Sequence, residues 1–236
     1  MSNEISLLAV TAASIGFLHT LFGPDHYLPF IVMSKARNWS LPKTMTITFL
    51  CGLGHVFGSV VLGILGISIG IAISNIEAFE SIRGSLAGWA LMSFGLVYTI
   101  WGIRRAILNK PHSHLHIHPD GRKHEHDHYH REEHSHVHDG QKKNITPWIL
   151  FTIFVLGPCE PLIPILMYPA AHNSIGGLIL ITAIFAITTI STMMIVVYVA
   201  SFGLKMIIFS KMEKYTHALA GGIILLSGAA INFLGL

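Results

Sequence analysis

Three histidines and one aspartate interrupt the first two apolar stretches of this 236-residue chain: His19, Asp25 and His26 in the first, His55 in the second. An ionisable group within a membrane-length apolar stretch is costly and marks a functional site by default. On an unbroken helix His19 and His26, seven residues apart, share one face after about two turns, with Asp25 beside them. His55 sits among Gly52, Gly54 and Gly58, which let another backbone come close. Imidazole suits zinc, copper, iron and nickel, and a carboxylate adds a hard oxygen donor. His19, Asp25, His26 and His55 therefore predict a site for a divalent transition-metal ion, with nickel and cobalt compatible. The alternative is one interhelical hydrogen bond per histidine.

A second concentration of imidazole lies in a polar segment: His112, His114, His116, His118, His124, His126, His128, His130, His134, His136 and His138. Their spacing is mostly two, which on an extended chain puts them on one side. The segment lacks apolar residues for a core and is expected to be disordered without ligand. Clustered imidazoles recruit borderline metal ions through exchanging contacts, and the pattern is not the closed Cys/His spacing of a zinc finger. A proton buffer or a polar linker is the alternative.

Two short motifs rhyme. Gly23-Pro24-Asp25-His26 reappears 134 positions on as Gly157-Pro158-Cys159-Glu160, and Leu86-Ala87-Gly88, Gly95 and Gly102 reappear 133 positions on as Leu219-Ala220-Gly221, Gly228 and Gly235. Two matches in the same order predict a duplicated unit of three spans, whose second copy must insert upside down. Inverted repeats place their binding site near the midplane, at broken helices. Pro24 cannot donate to the carbonyl of Thr20, nor Pro158 to that of Phe154, so both spans should kink or unwind there, and Pro161 and Pro164 extend the second disruption. Cys159, Glu160 and Thr189, the repeat partners of Asp25, His26 and His55, form a candidate second half-site. For Thr189 helix packing is the alternative. His172 and His217 are open between helping to capture an ion and being plain loop histidines.

The elements that must position these residues are apolar helices. The chain is 52% hydrophobic and 11% charged, and a spanning helix needs about 20 apolar residues. Six stretches qualify, at 5–34, 44–74, 82–108, 147–171, 175–204 and 215–236. The expected fold is an all-α polytopic membrane protein, six helices in a 3+3 inverted repeat with helices one and four broken. Residues 1–108 form the first repeat, 109–146 the His-rich loop and 147–236 the second repeat. No basic flank or small-residue cleavage site marks the first span as a signal peptide. Of the fifteen Lys and Arg, only Arg83 lies off the three connections after spans one, three and five. Basic residues stay cytoplasmic, which puts both termini outside and the His-rich loop inside the cell membrane. The pI near 8.9 then reflects topology, not nucleic-acid binding. Cys51 and Cys159, both within apolar spans, do not read as an extracellular disulfide.

His19-x5-Asp25-His26 and Gly54-His55-x3-Ser59, with a His-rich loop after the third span, resemble the nickel/cobalt transporter superfamily, including its urease-accessory-type transmembrane members. The resemblance implies metal recognition by His19, Asp25, His26 and His55, with Ni2+ or Co2+ as cargo and no permanently bound cofactor. Importers there carry a longer acidic motif and eight spans, a departure that leaves transport direction and the choice of metal open. Gly-Pro-Cys-Glu-Pro-Leu-Ile-Pro also resembles the cytochrome-biogenesis thiol-disulfide transporters, which relay electrons through a Pro-Cys in each repeat. Here the first-repeat equivalent of Cys159 is Asp25, and Cys51 substitutes only if it comes within disulfide reach. The chain has no phosphate-binding Gly-x4-Gly-Lys motif and no hydrolase or transferase constellation, so it is not expected to be an enzyme. The expected function is proton-coupled secondary transport of a divalent metal. The alternatives are thiol-disulfide electron transfer through Cys51 and Cys159, or a metal-delivery or sensing accessory. The partners are the metal ion and the bilayer, with a cytoplasmic metallochaperone as a candidate.

Overall fold

The computed structural model describes residues 2–68, 73–108, 112–117, 123–128, 145–157, 159, 161–171, 174–206 and 213–235. The chain runs through α1 (Ser2–Phe22), a 3-10 turn (Pro24–His26), α2 (Leu28–Ala36), α3 (Leu41–Ser68) and α4 (Ile73–Leu108). After the strands β1 (His112–Ile117) and β2 (Lys123–His128) come α5 (Thr146–Leu156), α6 (Leu162–Ala171), α7 (Ile175–Met206), a second 3-10 turn (Glu213–Tyr215) and α8 (Thr216–Leu234). Helices dominate because a backbone in lipid must satisfy its own polar groups. Among the described residues, five helices are long and apolar enough to cross a membrane: Glu4–Phe22, Leu41–Gly66, Asn75–Leu108, Ile175–Phe202 and Thr216–Leu234. Large apolar side chains such as Trp148, Val97 and Ile187 face outward, as lipid contact requires. This is a multi-pass membrane protein.

The count differs from the expected six because the fourth apolar stretch is divided into α5 and α6, of 11 and 10 residues, neither of which spans alone. The break ends sooner than expected, since Pro164 falls in the first turn of α6, where a helix has no use for its N–H. The 75–81 segment, expected between spans, belongs to α4. Glu80 and Arg83 pair there at i and i+3, so the helix carries its own charges past the apolar stretch. The His-rich loop is also more ordered than expected. β1 and β2 pair antiparallel with His112 opposite His128, His114 opposite His126 and His116 opposite His124. The period-two pattern suits a strand. Those six positions fall on one face of the ladder; His118, His130, His134, His136 and His138 lie outside the described residues.

Two apolar clusters fill the interior, and the boundary between them recurs on each chain segment that crosses it. Cys51 of α3 belongs to one and Val56 to the other, with His55 between. Met193 and Phe185 of α7 divide likewise about Thr189, and Phe154 and Cys159 divide across the α5–α6 break. Ala12 and Phe30 lie on either side of the first break. The breaks and buried polar residues thus form a layer between two apolar ones.

Helices α4 and α8 are held together by glycine. Gly88 faces Asn232 and the backbone at Gly228, Gly95 faces the backbone at Gly221 and Leu225, and Gly102 faces that at Ala218. Numbers rise on one helix as they fall on the other, so the pair is antiparallel. The contact Gly95–Gly221 becomes Gly228–Gly88 when the halves are exchanged at the shift of 133. Without side chains the backbones touch, which is how helices associate in lipid. A methyl at Gly221 would strike the backbone of Thr99, whereas Gly222 has nothing within 4 Å. Gly221→Ala should therefore destabilise by about 1–3 kcal/mol and lower the thermal midpoint. Gly222→Ala should leave it unchanged or raise it slightly, and equal midpoints for the two variants would refute this packing.

Candidate metal centre

The first break begins at Gly23, whose N–H still donates to the carbonyl of His19 at 3.0 Å. Pro24 then opens a 3-10 turn in which the N–H of His26 donates to the carbonyl of Gly23 at 3.1 Å. The carbonyl of Leu21, whose helical partner would be the Asp25 N–H, accepts instead from the Tyr27 hydroxyl at 3.2 Å. A side chain at Gly23 would meet the imidazole of His26 at 2.5 Å, so this glycine seats the ring. The tighter turn lifts His26 off the α1 line while keeping it against His19, with ring centroids 4.7 Å apart.

The second break seats His55 in the same way. A side chain at Gly157 would meet His55 Nδ1 at 3.1 Å. The Phe154 carbonyl, which Pro158 cannot serve, lies 3.4 Å from His55 Nδ1. His19 of α1, His26 of the 3-10 turn and His55 of α3 thus converge beside the second break, and their metal-binding nitrogens all lie within 4.8 Å of one another. His26 and His55 are buried, and His19 Nε2 is a buried atom with no hydrogen-bond partner.

The partners of the outer nitrogens decide what the inner ones offer. His26 Nδ1 lies 3.1 Å from the Gly23 carbonyl and 3.3 Å from Asp25 Oδ1, both acceptors. His55 Nδ1 likewise faces only the Phe154 carbonyl. With the hydrogen on each Nδ1, the tautomer these acceptors favour, each Nε2 presents a lone pair. These two nitrogens face each other at 3.2 Å. Two lone pairs at that distance repel unless a cation lies between them. Two nitrogens bound to one tetrahedral ion at zinc-like distances are about 3.3 Å apart. Asp25 is an orienting partner of His26, the carboxylate–histidine arrangement common behind metal ligands, rather than a member of the three-nitrogen cluster.

The other sequence candidates fall elsewhere. Thr189 is buried on α7, its Oγ1 without a partner and close to Gly16, one turn before His19. Cys159 is buried at the second break, and Glu160 lies outside the described residues, as does His172. His217 bonds Tyr98 and Arg105 at the far end of α4, away from the three-histidine cluster. Cys51 and Cys159 are both free. Cys51 lies eight residues, about 12 Å along α3, from Ser59, whose hydroxyl bonds the Cys159 backbone N–H at 3.0 Å.

Sequence reasoning missed a clamp on the second break. Had the helix continued, the Cys159 N–H would have bonded the Val155 carbonyl. The N–H goes instead to Ser59 Oγ, and Arg83 Nη2 donates to the Val155 carbonyl at 2.9 Å. Buried Glu80 joins the two, accepting from Ser59 at 3.1 Å and from Arg83. The available signal was Arg83 itself, the one basic residue on the wrong side of the charge count.

Residues 28–230 match the family described as cytochrome C biogenesis protein transmembrane region. No curated protein and no solved structure matches the chain. The match favours the thiol-disulfide scaffold over the nickel/cobalt transporter resemblance. It starts after His26, so it includes His55 and Cys159 but leaves out His19 and the Asp25-His26 pair. With nearly the whole helical framework from α2 to α8 inside the match, the chain belongs to the cytochrome C biogenesis protein transmembrane region family.

Proposed function

We propose that this chain carries a divalent transition-metal ion across the cell membrane, binding it at His19, His26 and His55. The observation that carries the reading is the convergence of the three imidazoles, with His26 Nε2 and His55 Nε2 3.2 Å apart and their Nδ1 atoms against acceptors at Gly23, Asp25 and Phe154. Three imidazoles suit nickel, cobalt and zinc alike, and nickel or cobalt is the ion that the His19-x5-Asp25-His26 resemblance implies. The ion is cargo: it sits between the two breaks, where rocking of one three-helix half against the other would expose it to each side in turn. The exchange-symmetric α4–α8 contact supports such a 3+3 arrangement. The positive-inside count puts the His-rich hairpin in the cytoplasm, as a collecting or receiving surface.

Imidazole binds metal only when unprotonated, so loading competes with protons. That competition couples transport to a proton gradient and sets a sign: affinity is full at neutral pH and falls as the medium becomes acidic. Apparent affinity for Ni2+ or Co2+ in vesicles should weaken about tenfold or more between pH 7.5 and pH 5.5. A flat profile would contradict imidazole ligation. His26→Ala should cost more than roughly 100-fold in affinity, and Asp25→Asn, which keeps the ring but alters its orienting partner, about 10–100-fold. Flux unchanged in both variants would remove the site. Arg83→Gln, which frees the Val155 carbonyl and loosens the break that holds His55, should weaken binding without touching a ligand. Affinity equal to wild type would show that the clamp and the site are independent.

The family match favours a second reading, electron transfer through cysteine thiols. Oxidising two thiols to a disulfide releases two protons and two electrons to an acceptor, and requires Cα atoms within about 7 Å. Cys51 and Cys159 belong to different apolar clusters, with Ser59 bonded to Cys159 two turns along α3 from Cys51. Mild oxidation of the purified protein should therefore leave both thiols available for alkylation after denaturation. A mass lower by two hydrogen atoms, with neither thiol alkylated, would establish the redox reading instead.

A further inference from the structure

At the end of the bundle remote from Arg83, five side chains from three helices form a cluster that the metal site does not use. Arg105 Nη1 lies 3.3 Å from His217 Nε2, and His217 Nδ1 lies 2.8 Å from the Tyr98 hydroxyl. A guanidinium only donates, so His217 Nε2 accepts and its Nδ1–H donates to Tyr98. The hydroxyl hydrogen of Tyr98 is then left to donate, from a residue only 5% exposed. Arg37, at the end of α2, lies over the rings of Tyr98 and Trp101 at 5.3 and 5.5 Å, and Arg105 lies over Trp101 at 5.4 Å. Among the described side chains no carboxylate pairs with either arginine. Arg105 donates to His217 and Arg37 to the Tyr98 hydroxyl, and the remaining guanidinium hydrogens and the phenol hydrogen have no carboxylate among the described side chains to take them.

We infer that this cluster binds the phosphate group of an anionic membrane lipid. The donor-only chemistry calls for an oxyanion, and forked guanidinium donors match phosphate oxygens two at a time. The position selects the lipid over a soluble phosphate. Trp101 is 40% exposed on α4 at the level where spans end, where aromatic rings sit among headgroups. Lys35, Lys43, Arg104 and Lys214 belong to the same end, the one the positive-inside count assigns to the cytoplasmic leaflet, where anionic lipids concentrate. The ring stacking holds both arginines in place before a ligand arrives, since each cation already rests on an aromatic face. A bound headgroup would bridge α2, α4 and α8.

The test uses the full chain in a neutral detergent and reads the thermal midpoint with added phosphatidylglycerol, phosphatidylcholine or inorganic phosphate. Phosphatidylglycerol should raise the midpoint by about 3 °C or more, and the other two should not. Arg37→Gln with Arg105→Gln should abolish the rise. Lys35→Gln with Lys43→Gln, which removes the same charge from exposed positions at the same end, should keep it. Tyr98→Phe retains the packing and both arginines and should lose part of the rise, which covers the case in which the arginine variant does not fold. An undiminished rise in the arginine or phenylalanine variant overturns the site. A rise lost equally in the lysine variant shows diffuse charge attraction, and a rise matched by inorganic phosphate shows a soluble ligand; either result overturns the lipid assignment.

Discussion

A carbonyl without a hydrogen-bond partner is intolerable in lipid, and the centre of this molecule is organised by that rule. Pro158 removes the helical partner of the Phe154 carbonyl, which accepts instead from the Gly157 N–H at 3.1 Å and has His55 Nδ1 3.4 Å away on α3. Departure of the chain from helix at Cys159 leaves the Val155 carbonyl open, and Arg83 reaches it from α4. The displaced Cys159 N–H finds Ser59, one turn from His55 on the same helix. Breaking one span thus forces two other helices to supply polar side chains at the same depth. Once His55 is held by its Nδ1, its Nε2 has to point the other way, toward His26.

The first break shows the same physics with a different outcome. Its imidazole, His26, is local, and it turns back on Gly23 and Asp25 rather than reaching across from another helix. Gly23 and Gly157 each leave room for a ring, so the glycine of the first break seats His26 and the glycine of the second break seats His55. The two breaks share a Gly-Pro opening and differ in the side chains that follow: Asp25 lies against the His26 ring, whereas Cys159 packs in an apolar cluster. Membership of the cytochrome C biogenesis protein transmembrane region family accounts for the framework, and the side chains installed at the breaks account for the chemistry.

The three-histidine cluster was legible in the sequence because histidine is rare within apolar spans and glycine-proline pairs announce a break. His19, His26 and His55 could be named from those signals alone, and the glycines of α4 and α8 from their recurrence 133 positions apart. Asp25 was legible as a member but not as the orienting partner, because that distinction depends on which imidazole nitrogen it faces. Glu80 and Arg83 were not legible. A Glu-Arg pair three residues apart near the end of a span reads as an ordinary surface pair, and only the fold brings Arg83 to a carbonyl 72 residues away. The hairpin was missed for a similar reason: composition argued against a core, yet backbone pairing of alternating residues does not require one.

The most direct measurement of the central claim is metal K-edge X-ray absorption on protein loaded with one equivalent of Ni2+ or Co2+ after deletion of residues 112–138, which leaves the membrane-embedded site to bind the ion. The account predicts imidazole scattering from three nitrogens at about 2.0–2.1 Å and its loss in His26→Ala. Sulfur in the first shell, or no bound metal once the loop is removed, would contradict it.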